Sequence, residues 1–207
     1  MSERNILIVE DEPLIAEDIA EALMRNDFAV SAIVYTKEDA LTELRSNLPD
    51  VAILDINLNG KMEGIEIAET IATQYSIPFI FLTSYSDKKT IASAKFTEPA
   101  GYIVKPFTEA GLYSSLEIAL YNYAQKNKRN FPELKLSTIN QHLSVPVSER
   151  EFQLLQLIYS GYSNKQIAGE LFISLNTVKK HINNLYLKLD AASHSSAIAR
   201  IRELMCR

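Results

Sequence analysis

Cysteine and histidine are scarce in this chain of 207 residues, which holds one of the first and three of the second. The lone Cys206 excludes an internal disulfide and fits a reducing compartment. His142, His181 and His194 are too scattered, with too little cysteine beside them, to form a zinc finger. No apolar run approaches the length that spans a bilayer. The start, Met1-Ser2-Glu3-Arg4, leads directly into a strand and an acidic cluster rather than a leader-like apolar segment, which predicts a cytoplasmic protein with no membrane partner. No internal repeat is evident. Positive charge is missing from one half only. Residues 1–125 carry 9 Lys+Arg against 20 Asp+Glu and residues 126–207 carry 12 against 6, so balances of −11 and +6 underlie the net −5. A chain polarised in this way predicts two domains, the second of which meets a polyanion, with nucleic acid the leading candidate.

With 47% hydrophobic residues, the chain has enough apolar material for a proper core. Val51-Ala52-Ile53-Leu54 is a continuous apolar run that ends on Asp55, as expected of a strand buried on both faces of a parallel sheet. Three other segments repeat the design. Ile6-Leu7-Ile8-Val9 runs into Glu10, Asp11 and Glu12, Phe79-Ile80-Phe81-Leu82 into Thr83 and Ser84, and Tyr102-Ile103-Val104 into Lys105. Parallel neighbours would bring these carboxylates, a hydroxyl and an ammonium to the carboxyl edge of one sheet, where open α/β sheets do their chemistry.

Between the strands the period becomes helical. Pro13 opens a helix ending near Asn26, residues 28–34 form a strand, and Thr36 with Asp39 is a capping signature for a helix to about Ser46. Gly60 and Gly64 mark a loop before the stripe Ile65, Ile67, Ala68 and Ile71; residues 87–96 suggest a weaker, more polar helix, and Leu112, Leu116, Ala119 and Leu120 belong to one reaching about Gln125. Five strands alternating with five helices predict an α/β doubly wound five-stranded parallel sheet over residues 1–125. Residues 126–146 begin with a basic run, lack a convincing period and read as a linker. From Val147 the pattern is helical. Capping boxes at Ser148/Glu151 and Ser163/Gln166 open two helices, Ser174 or Asn176 a third, and residues 193–205 form a fourth, giving an all-α helix-turn-helix module over 147–207.

Glu10, Asp11 and Asp55 at adjoining strand ends would repel one another when ionised. A divalent cation resolves this, and an oxygen-only donor set suits Mg²⁺. With Lys105 as a second positive charge and Thr83 as a hydroxyl donor, the group reads as a phosphoryl site with a carboxylate nucleophile. Residues 1–125 resemble the receiver domain of two-component response regulators. Glu10-Asp11 stands as the acidic pair, Asp55 as phosphoacceptor, Thr83 and Tyr102 as switch residues, and Lys105-Pro106 as the signature lysine and proline. The resemblance implies that Asp11, Asp55 and the carbonyl of Asn57 hold Mg²⁺, with Glu10 reaching it through water and Glu12 outside. Two departures stand out. The loop 56–64 is one residue longer than the commonest family form and lacks its proline, and the acidic pair begins with Glu rather than Asp. A phosphatase is the competing class. Those enzymes resemble Asp-x-Asp, and the second acid is Asn57 here, so the chain is expected not to be an enzyme.

Residues 147–207 resemble the LuxR-type helix-turn-helix output domain, through Ser148-Glu149-Arg150-Glu151, the stretch from Gly161 to Ala168, and Asn176-Thr177-Val178-Lys179 on to Leu189. The resemblance implies that Lys179, Lys180 and Asn183 face base edges, whereas Asn164, Lys165, Thr177 and His181 hold phosphates. His194 replaces a frequent Arg, which implies one weaker backbone contact. The stripe Ala197, Ile198, Ile201 and Leu204 either pairs two copies on DNA or packs within its own domain. The expectation is a response regulator that a sensor histidine kinase phosphorylates on Asp55. It would then bind double-stranded DNA as a homodimer, with RNA polymerase a further partner. Phosphorylation is expected to draw Thr83 and Lys105 towards the phosphate and turn Tyr102 inward. The alternative is an atypical receiver that gates the DNA-binding domain through a protein partner without phosphorylation.

Overall fold

The computed structural model describes residues 4–75, 77–84, 94–128 and 133–205. By spatial clustering the chain divides at Leu120/Tyr121 into two compact units. The first holds β1 (Asn5–Val9), α1 (Pro13–Arg25), β2 (Ala29–Val34), α2 (Lys37–Ser46), β3 (Val51–Asp55), α3 (Glu63–Thr70), β4 (Phe79–Ser84), β5 (Gly101–Lys105) and most of α4 (Glu109–Lys128). A π-helical turn, Ile71–Tyr75, extends α3. The expected helix over 87–96 lies outside the described residues except at its end, where residues 94 and 95 are helical.

All strand pairs are parallel, in the order β2-β1-β3-β4-β5. That is the doubly wound order in which the chain reverses direction between β1 and β3, the place where such sheets bind ligands. Side chains alternate across the sheet with a period of two. Ile6, Ile8, Ile53, Ile80, Leu82 and Ile103 pack under α1 and α4, whereas Leu7, Val9, Ala52, Leu54, Phe79 and Phe81 pack under α2 and α3. The two-sided burial of β3 is complete, since Ala52, Ile53 and Leu54 are all 0% exposed. Its polar terminus, Asp55, is thereby fixed at the edge. Local chemistry supports the frame. Pro13 starts α1, and the Thr36 side chain accepts from Asp39 N at the head of α2.

The second unit comprises α5 (Leu136–Gln141), α6 (Glu149–Tyr159), α7 (Asn164–Leu171), α8 (Leu175–Leu189) and α9 (His194–Met205), together with the α4 residues from Tyr121. Within it the Tyr121 and Tyr162 rings meet edge to face at 6.1 Å, and Gln125 Nε2 donates to Ser160 O at 3.2 Å. Both expected capping boxes form, at Ser148 and Ser163, and Ser174 rather than Asn176 caps α8. Helix α5 lies in the stretch read from sequence as an irregular linker. Six residues are too few for a legible period. Packing holds them instead: Ile139 is buried, and Asn140 pairs by its side-chain amide with both the N–H and the C=O of Val147 at 2.8 and 2.9 Å. Ala197, Ile201 and Leu204 are fully buried in this unit's own core with Ile198 packed against it, so the apolar stripe of α9 serves its own domain.

Candidate functional site

The ends of β1, β3 and β5 converge as the alternation of strand and helix predicts. Lys105 Nζ lies 2.5 Å from Asp55 Oδ2 and 2.6 Å from Glu10 Oε2, joining three strands through one ammonium. One carboxylate oxygen from each of Glu10, Asp11 and Asp55 falls within 4.8 Å of the others. Glu10 is fully buried and Asp55 7% exposed, while Asp11 is half-buried. Burial, followed by the hydrogen bond from Lys105 acting against it and the charge of Asp55 acting with it, pushes the Glu10 carboxyl up to about 7. Burial works against the Lys105 charge, but its contacts with Asp55 and Glu10 prevail and hold its pKa above the usual lysine range. The peptide bond from Lys105 to Pro106 is cis.

Each carboxylate also accepts a main-chain N–H. Glu12 N donates to Glu10 Oε1 at 3.3 Å, Asn57 N to Asp55 Oδ1 at 3.0 Å and Asn59 N to Asp11 Oδ2 at 2.9 Å. When all three acids are ionised, Lys105 leaves a charge of −2 uncompensated at this edge. The donors are all oxygen. Such a site fits Mg²⁺, which combines one or two carboxylates with several waters, so the residues present match the cation that the sequence suggests. Gly64 sets the packing beneath. A Cβ there would stand 1.9 Å from the Asp55 carbonyl oxygen, so only glycine lets α3 start so close to β3.

Thr83 is buried at the end of β4, and its hydroxyl donates to Ser84 O at 3.2 Å. The Tyr102 ring already packs on Phe81, with centroids 5.9 Å apart, and its buried hydroxyl has no hydrogen-bond partner among the described residues. Burial raises its pKa. Asn57 is exposed, as expected of a residue that offers only its main chain.

In the second unit, α7 and α8 form the helix pair. Lys165, Lys180 and Asn183 are exposed, and Asn164, Thr177, Lys179 and His181 are half-buried. Val178, Ile182, Leu185 and Leu189 fill the core from the opposite face of α8. The Thr177 hydroxyl is engaged at 2.8 Å with the capping Ser174. Sequence reasoning missed the clasp beneath this helix. Lys188 Nζ reaches Glu151 Oε2 at 2.7 Å and Pro146 O at 2.9 Å, fastening the end of α8 to the capping box of α6. Although burial opposes it, the bond from Lys188 together with those from Ser148 holds the Glu151 carboxyl below the usual range.

Comparison with known proteins bears on both units. The family model described as the response regulator receiver domain matches residues 6–117, and that of the bacterial regulatory proteins of the luxR family matches residues 145–201. The transcriptional regulatory protein DesR of Bacillus subtilis is 28% identical, with 96% of each chain covered. The transcriptional regulatory protein DegU of Brevibacillus brevis is 24% identical, covering 93% of this chain and 90% of its own. Among solved structures, the signal receiver domain of a modulated diguanylate cyclase from Desulfovibrio desulfuricans superposes with a TM-score of 0.56 at 32% identity, covering 60% of this chain and 99% of that one. Among the described residues, no helix is long and apolar enough to cross a membrane.

Proposed function

We propose that this chain, which belongs to the response regulator receiver family, carries a luxR-family regulatory domain and is therefore a two-component transcriptional response regulator, is switched by phosphorylation of Asp55. The observation that carries the reading is the single ammonium of Lys105, within 2.6 Å of both Asp55 and Glu10 at the carboxyl edge of the sheet. The phosphoryl donor is a phosphohistidine of a sensor kinase. An Asp55 carboxylate oxygen attacks phosphorus, the O–P bond forms as the N–P bond breaks, and the imidazole leaves with the electron pair, giving an acyl phosphate. Asp11, Asp55 and the carbonyl of Asn57 hold Mg²⁺, with Glu10 reaching it through water. When bound, the cation neutralises charge on the transferring oxygens. Lys105 turns from Glu10 to the phosphoryl group, and Thr83 offers its hydroxyl to the same oxygens. Tyr102 completes the switch with its ring held against Phe81.

Residues 1–125 then act as receiver, 126–146 as connection and 147–207 as DNA reader. Lys179, Lys180 and Asn183 meet base edges in the major groove, and Asn164, Lys165, Thr177 and His181 hold the backbone phosphates. The +6 balance of residues 126–207 supports a polyanionic partner. The phosphorylated protein works in the cytoplasm as a homodimer on DNA, with RNA polymerase a further partner, and turns over no external phosphoester, since Asn57 stands where a general acid is needed. The test is labelling by a small phosphodonor with Mg²⁺, read as an intact-mass gain of one phosphoryl group. Wild-type protein gains it and Asp55→Asn does not; labelling that persists in the variant removes Asp55 from its role.

A further inference from the structure

Of the three main-chain bonds that hold the acidic edge, two are made within two residues of their acceptor. The third crosses the fold. Asn59 N reaches Asp11, 48 positions away in sequence, and does so only because residues 58–61 turn back on themselves. Leu58 and Lys61 exchange both main-chain hydrogen bonds at 2.9 Å as an isolated antiparallel bridge. Asn59 and Gly60 occupy the corner with φ of +50° and +78°. Two residues of positive φ between a mutually bonded pair make a type I′ turn, and Asn-Gly is its preferred sequence. A Cβ on Gly60 would meet nothing within 4 Å, so its conformation and not lack of space demands glycine. The arm beneath is anchored, since Ile56 and Leu58 are both fully buried.

We infer that the Asn59-Gly60 turn is a positioning device for the cation site, presenting the Asn59 amide so that Asp11 is set for Mg²⁺ before the ion arrives. This rests on the reading of Glu10, Asp11 and Asp55 as a Mg²⁺ site. Asp11 needs such a device more than its neighbours do. Glu10 and Asp55 are buried and clasped by Lys105, whereas Asp11 is half-buried and has no ion pair among the described residues. A half-exposed carboxylate left to itself samples several rotamers, and the ion would have to freeze it on binding. The amide bond removes that freedom in advance and still leaves an Asp11 oxygen within 4.8 Å of those from Glu10 and Asp55. The turn therefore acts as an outer-shell partner, of the kind whose loss lowers metal affinity without removing a ligand.

The test titrates Mg²⁺ into the full chain by calorimetry for wild type, Gly60→Val, Gly60→Ala and Gly60→Asn. Valine and alanine disfavour positive φ, whereas asparagine tolerates it. The dissociation constant is expected to rise about tenfold or more in Gly60→Val, to rise less in Gly60→Ala and to stay near the wild-type value in Gly60→Asn. The downfield amide proton of Asn59, read by NMR without metal, should shift towards solvent-exposed values in the same order. Gly60→Ala carries the test if the valine variant fails to fold. Equal Mg²⁺ affinity in all folded variants, with the Asn59 amide displaced, overturns the inference and leaves the cation site standing. Absence of saturable Mg²⁺ binding by wild type overturns the site and the inference together.

Discussion

Substituting Glu10 by Gln should make the stability of the receiver unit less sensitive to pH, and the structure fixes both the sign and the size. Glu10 is fully buried, and its carboxyl titrates near 7 in the folded protein against 4.5 for the unfolded chain. Below pH 4.5 both states hold the proton. Between 4.5 and 7 the unfolded chain has lost it while the native state keeps it, so stability falls as pH rises. At 1.36 kcal/mol per pH unit, that window amounts to about 3 kcal/mol, fully developed above pH 7. Gln is neutral at every pH and fills nearly the same space. The difference between wild type and Glu10→Gln should therefore widen against wild type from pH 4.5 to about 7.5 and then level off. Urea unfolding in EDTA would measure it, followed through the methyl resonances of Ile8 and Ile53, which lie in the receiver core. Saturating Mg²⁺, which favours the ionised acid, should shrink the divergence. Parallel stability curves for the two proteins across this range would show that Glu10 is ionised in the fold and refute the reasoning.

Lys179→Ala combined with Lys180→Ala should weaken binding to duplex DNA and reduce the slope of log affinity against log salt by up to about 2, one for each phosphate-neutralising cation lost; a filter or fluorescence assay over a salt series checks this, and an unchanged slope and affinity count against the docking face. Glu151→Gln keeps a capping-box acceptor, as Gln166 shows in α7, but loses the ion pair with Lys188, so hydrogen exchange in α6 and α8 should quicken about tenfold at pH 7 for a loss of about 1–2 kcal/mol. Because the Glu151 carboxyl is held below its ordinary value, that contribution is present above pH 4.5 and disappears as pH falls through the folded pKa, where the exchange of the two proteins should converge.

The sheet was legible because its strands are buried on both faces, so each became a run of four apolar residues ending in a polar one, and the polar residues alone marked the edge. The capped helices of the second half were legible for a different reason: Ser148, Ser163 and Ser174 each place an acceptor at a fixed offset from the amide they satisfy. What escaped was long-range. Nothing in the spacing of Glu151 and Lys188, 37 positions apart, signals a contact. Helix α5 is held by Ile139 and by the pairing of Asn140 with Val147, neither of which leaves a period. The Asn59-Gly60 turn is an intermediate case. Asn-Gly is the strongest short-range hairpin signal, but only the fold shows that the hairpin closes on Asp11.

The two units treat buried acid in opposite ways, and the contrast says which one answers to a ligand. In the second unit, Glu151 meets one lysine, two donors from Ser148 and the start of a helix, a local set that closes its charge. In the first, one lysine serves two buried carboxylates while a third stands within 4.8 Å. An isolated fold has no use for such a deficit, because taking acids out of water without matching charge is destabilising. A species that binds the folded edge and not the unfolded chain recovers that loss by mass action. The receiver unit must therefore gain stability from its cation, while the unfolding of the helical unit, whose charges are already matched, has no equivalent site through which to respond.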